Sequence, residues 1–109
     1  MYYLEVFGLL NKYGVRYLVV GGVALVLHGV LRLTADLDLI IDLAEENVEK
    51  FLKALKKLGY KPKLPVDPAK LGSPKARSDW VKKKNMKVFS FIQSKDDYKI
   101  IDVFVTEPI

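Results

Sequence analysis

Two aspartates one residue apart, Asp36 and Asp38, are the first side chains in this sequence whose spacing could support chemistry. They fall in residues 31–39, which alternate strictly: Leu31, Leu33, Ala35, Leu37 and Leu39 on one side, Arg32, Thr34, Asp36 and Asp38 on the other. Period two predicts an extended segment with unlike faces, and residues two apart on a strand project from the same face. Two carboxylates so close repel one another unless a cation neutralises them, which a divalent ion does directly. Two such ions, ~3.5–4 Å apart, clamp the attacking and leaving oxygens of an in-line phosphoryl displacement. With no cysteine and a single histidine, any ion must be held by oxygen, so the expected metal is Mg²⁺ or Mn²⁺. The plain alternative is a solvated pair of acids, and Asp-x-Asp alone does not choose between them.

A third carboxylate sharpens the choice. Asp102 interrupts the apolar run Ile100, Ile101, Val103, Phe104, Val105, where an ionised group is costly unless it is paired or bound to metal. Its structural alternative is a capped or salt-bridged aspartate, with Arg32 as the partner. Should its strand lie beside that of Asp36 and Asp38, three carboxylates meet. The pair Gly21-Gly22 ends an apolar strand and opens a helix, so its backbone can approach a phosphate closely while helix amides donate to the oxygens. Arg32 and Thr34, on the polar face, would add charge and a hydroxyl. Asp42, three residues before Glu45, reads as an N-terminal capping box and is assigned to structure. His28 is assigned to a helix end, and Trp80, Phe89 and Phe91 to the core.

The elements that must position these groups follow from periodicity and punctuation. Residues 2–13 form an amphipathic helix ended by Gly14, and residues 17–20 a short apolar strand. A helix over 23–28 closes at Gly29, and the alternating strand continues through Ile40 and Ile41. Val48, Phe51, Leu52, Leu55 and Leu58 stripe a helix over 44–58 that Gly59 ends. Residues 61–73, with three prolines, read as an extended loop with room for a short edge strand. A short helix over 78–84 and two strands, 86–92 and 98–105, paired as a hairpin complete the chain. The fold class is α/β (α+β): a mixed sheet flanked by helices.

Length and composition agree. The 109 residues suit one domain, and half are apolar with 28% charged. The longest apolar stretch, 17–27, falls short of the ~20 residues that cross a bilayer, so no membrane association is expected. No basic run precedes an apolar core at the N-terminus, and zero cysteines suit a reducing compartment, so the expected location is the cytoplasm. The net charge of +5 is uneven: −4 over residues 1–49, +11 over 50–87 and −2 over 88–109. A basic block between acidic ones marks a polyanion-binding surface, or else a lysine-rich solvated helix face.

The compound pattern Val20-Gly21-Gly22, Asp36-Leu37-Asp38 and a later strand aspartate, Asp102, resembles the nucleotidyltransferase superfamily to which DNA polymerase beta belongs. More narrowly, Gly21-Gly22-Val23-Ala24, His28-Gly29 and Arg32-Leu33-Thr34-Ala35-Asp36-Leu37-Asp38 look like the small prokaryotic nucleotidyltransferases related to the abortive-infection toxin component. The resemblance implies that Asp36 and Asp38 each ligate two Mg²⁺ ions and that Asp102 binds the metal on the acceptor side and helps deprotonate the attacking hydroxyl. Gly21 and Gly22 would hold the triphosphate, supported by Arg32 and Thr34. The implied reaction transfers a nucleoside monophosphate from an NTP to a hydroxyl of a protein or RNA acceptor, in a toxin–antitoxin setting with an antitoxin protein as partner. Members of that group carry further helices after the third-aspartate strand; this sequence ends at Ile109, so a minimal single domain without them is expected. The alternative from another class is a non-catalytic domain of the same shape that binds nucleic acid or a protein partner through residues 50–87.

Overall fold

The computed structural model describes residues 2–21 and 36–106. In chain order these form α1 (Tyr2–Lys12), β1 (Tyr17–Val20), β2 (Asp36–Ile41), α2 (Glu45–Lys57), β3 (Tyr60–Pro62), a 3₁₀ turn (Pro68–Gly72), α3 (Pro74–Lys84), β4 (Val88–Gln93) and β5 (Asp96–Phe104). The five strands make one mixed sheet in the order β1-β2-β5-β4-β3. Only β2 and β5 run parallel; β1 with β2, β3 with β4 and β4 with β5 are antiparallel. The expected α/β class is therefore the observed one. Among the described residues no helix is long and apolar enough to cross a membrane.

The alternation that predicted β2 sets its burial. Leu37, Leu39 and Ile41 are fully buried, while Asp36, Asp38 and Ile40 between them are half-buried. Ile101 and Val103 of β5 and Phe89 and Phe91 of β4 point to the same inner face. Helices cover that face: Phe51 of α2 meets Phe91 edge to face at 5.8 Å, and Trp80 of α3 lies 5.3 Å from Phe89. Val6 and Leu10 bring α1 into the same core. Each large side chain so buried contributes roughly 1.5–3 kcal/mol. The helix layer thus takes one face of the sheet, and the aspartates project from the other.

Helix ends follow local chemistry. Gly14 after α1 and Gly59 after α2 take positive φ, the left-handed conformation that closes a helix. In α2, Glu45 and Glu46 fill the first turn and Lys56 and Lys57 the last, each opposing the helix dipole.

Three expectations are corrected. The helix expected over 78–84 begins at Pro74, because Ser73 caps it, accepting from Ala76 N at 3.2 Å, and proline suits a first helical position. The loop expected over 61–73 has the short edge strand allowed for it, β3, which starts at Tyr60, but it also contains a 3₁₀ turn, which Asp67 caps by accepting from Ala69 N at 3.0 Å. Asp42 is structural without forming a capping box: Ala44 is the N-cap of α2 and no side chain caps it. The Asp42 Oδ1 instead accepts from Ala44 N at 3.0 Å, and its Oδ2 pairs with Arg16. The helix expected over 23–28 and the first half of the strand expected over 31–41 lie outside the described residues.

Candidate functional site

Strand register brings the aspartates together. Asp38 on β2 lies directly beside Asp102 on β5, and Asp102 in turn opposes Ser90 on β4. On the other side Asp38 opposes Val20 of β1. One row, Val20-Asp38-Asp102-Ser90, therefore crosses four strands spaced about 4.8 Å apart. Asp36 lies two residues along β2 on the same face, beside Ile100. The condition set by the sequence, that the strand of Asp102 neighbour that of Asp36 and Asp38, is met.

The electrostatics register this proximity. The Asp38 carboxyl is held above the usual carboxylate range, first by partial burial, then by the charge of Asp102 and that of Asp36. The neighbouring charges thus make Asp38 harder to ionise, which a cation between the acids would relieve. Asp102 has one oxygen already engaged: Ser90 Oγ donates to its Oδ1 at 2.6 Å.

Gly21 closes the other side of the site. Its φ of +72° is left-handed, and a Cβ there would overlap the Asp38 carboxylate. Backbone and acid are therefore in direct apposition, at a position only glycine fills without displacing Asp38. Of the predicted site residues, Asp36, Asp38, Asp102 and Gly21 thus gather at one place on the outer face. Gly22, Arg32 and Thr34, together with His28, lie outside the described residues. Trp80, Phe89 and Phe91 are core, as expected.

Carboxylate and hydroxyl oxygens are the donor set that a hard divalent ion takes, so the residues fit such an ion in donor type and in the repulsion it would relieve. Among the described residues, however, no group of three or more acidic or histidine side chains is gathered closely enough to hold a metal ion as these side chains stand.

Sequence reasoning missed Ser90. Its signal was available: it is the polar position between Phe89 and Phe91, in a strand expected to pair with that of Asp102. What the sequence lacked was the register that sets the two face to face.

Comparison of this chain with known protein families, with curated proteins and with solved structures finds no match.

Proposed function

We propose that this chain is a metal-dependent nucleotidyltransferase that moves a nucleoside monophosphate from an NTP to an acceptor hydroxyl. The observation that carries the reading is the in-register pair Asp38 and Asp102, with Asp36 on the same face and the charges of both neighbours acting on Asp38. Asp36, Asp38 and Asp102 would hold the divalent ion, which when bound supplies positive charge to the phosphate oxygens. Gly21 and Gly22 would let backbone approach the triphosphate, and Arg32 and Thr34 would bind it. The acceptor oxygen attacks the α-phosphorus, the bond to the β-phosphate oxygen breaks, and pyrophosphate leaves. Asp102, whose Oδ1 Ser90 occupies, receives the hydroxyl proton on its other oxygen. A toxin role, with a protein antitoxin, belongs to the same proposal.

The test is incorporation of labelled NMP in the presence of Mg²⁺. Asp36→Asn and Asp38→Asn are each expected to abolish transfer with the far-ultraviolet circular dichroism unchanged; wild-type rates in either variant remove the assignment. A second readout needs no activity. Because Asp38 is repelled by its neighbours, Asp38→Asn is expected to raise the melting temperature in EDTA, and Mg²⁺ is expected to raise that of the wild type more than that of the variant.

A further inference from the structure

The block of charge over residues 50–87 contains twelve lysines, and every one of them is exposed. Among the described residues none forms an ion pair; the salt bridges belong to Arg16, with Asp42 and Glu46. The single arginine of the block, Arg77, turns inward and donates to the Leu71 carbonyl, so the outward charge is entirely ammonium. Only Asp67 and Asp79 oppose it within the block, and the Asp67 side chain is occupied in capping the 3₁₀ turn. Glu45, Glu46 and Glu49 stand at the start of α2, ahead of the block, but none of them pairs with a lysine among the described residues, and from Lys50 onward the basic groups far outnumber the acids, unlike a helix face on which acids and lysines alternate and pair.

Its placement is as informative as its sign. Two grooves on the helix layer are lined with lysine. One, an open groove of about 400 Å³ that runs along α3, carries Lys70, Lys75, Lys83 and Lys84 against one acid, Asp79. The other, of about 500 Å³, lies between Tyr13 and Lys53, Lys56 and Lys57 of α2. The 3₁₀ turn packs against both helices, with Gly72 against Glu45 in the first turn of α2. Trp80 and Phe51 root α3 and α2 on the inner face of the sheet, so these grooves lie across the sheet from Asp38 and Asp102.

We propose that the helix layer is a docking surface for the phosphodiester backbone of a nucleic acid. Charge complementarity identifies the occupant: flexible ammonium groups along two grooves suit closely spaced phosphates and carry no fork geometry for reading bases. Binding is therefore indifferent to sequence and to the 2′-hydroxyl. The surface is separate from the acid-bearing face, so the proposal goes beyond the catalytic reading and stands or falls without it.

The experiment is fluorescence anisotropy with a labelled 24-nucleotide RNA and its DNA counterpart, on the full chain, over a KCl series. The wild type is expected to bind both within a few-fold of each other, with affinity falling steeply as salt rises. The variant Lys70→Gln, Lys75→Gln, Lys83→Gln, Lys84→Gln is expected to bind at least about tenfold more weakly at low salt. Its slope of log affinity against log salt should be shallower by roughly 3, at about 0.7 for each phosphate that a lysine no longer neutralises. Lys53→Gln, Lys56→Gln, Lys57→Gln should weaken binding independently. Lys95→Gln, in the β4–β5 turn, is expected to leave binding unchanged. The proposal is overturned by salt-independent or absent binding in the wild type, by an unchanged slope in both groove variants, or by polyglutamate displacing the RNA at equal charge. NMP transfer plays no part in these readouts, so failure of one proposal is distinguishable from failure of the other.

Discussion

At the scale of single residues, Ser90 is the group whose role the geometry most constrains. Its hydroxyl fixes one oxygen of Asp102 and leaves the other to face the site, so it acts as a positioning residue in the proposed reaction. Ser90→Ala is expected to lower kcat roughly tenfold with KM for the NTP nearly unchanged, by analogy with the removal of partners that orient metal-ligand carboxylates. Ser90→Thr, which keeps the hydroxyl and suits a strand, should recover most of the rate, and an unaltered kcat in Ser90→Ala removes the role. The acids themselves were legible, because alternation in residues 31–39 and an aspartate within an apolar run are local patterns. Ser90 was not, because a serine in a strand means nothing until the register between β4 and β5 is known. Gly21 was legible as a turn; that its bare Cα lies against the Asp38 carboxylate is a tertiary fact.

Among the elements, the junction of β1, β2 and α2 depends on one fully buried polar side chain, Asn47. Its Oδ1 accepts from Arg16 N at 2.8 Å, and its Nδ2 donates to Arg16 O at 3.1 Å and to Asp42 O at 2.7 Å. The first turn of α2 thereby ties the start of β1 to the end of β2, which sets where β2 presents its aspartates. Asn47→Ala removes all three bonds and is expected to cost about 3 kcal/mol in urea unfolding; a loss below about 1 kcal/mol would show the junction holding itself. Asp42 completes it from outside. Its carboxyl is held below the usual range, first by the Ala44 amide and then by Arg16. A depressed carboxyl stabilises the fold above its unfolded pKa of about 3.9, and that contribution is lost as pH falls through the lower folded value. The melting temperature of the wild type relative to Asp42→Ala should therefore converge below about pH 4, whereas a constant gap would assign the effect to packing. Helices and strands of this region were readable from periodicity. The Asn47 bridge was not, since an asparagine early in a helix reads as a solvated polar residue until the strands that it joins are adjacent. The proline-containing segment reads as a loop for a related reason: Pro68 and Pro74 begin helical turns, where a missing amide costs nothing, and only the caps Asp67 and Ser73 distinguish that from irregular chain.

On the scale of the whole molecule, the sheet separates two kinds of surface, acids and Gly21 on one face and a helix layer bearing unpaired lysines on the other. The strand order adds a property of its own. β5 follows the other described strands in the chain yet sits in the middle of the sheet, between β2 and β4. Its inner residues Ile101 and Val103 are fully buried, so their amides should exchange with solvent only on global unfolding, while edge strand β3 opens locally. Exchange measured by NMR tests this, and faster exchange at Ile101 than at Lys61 would contradict it. Because a parallel partner distant in sequence must close before β5 is placed, the sheet is of the slow-folding kind. Asp38 and Asp102 meet only when that closure occurs. A folding intermediate that holds α2, α3 and their lysines but has yet to seat β5 would keep its basic surface without an acid pair, so during refolding the capacity to bind polyanions should return before any capacity to bind metal.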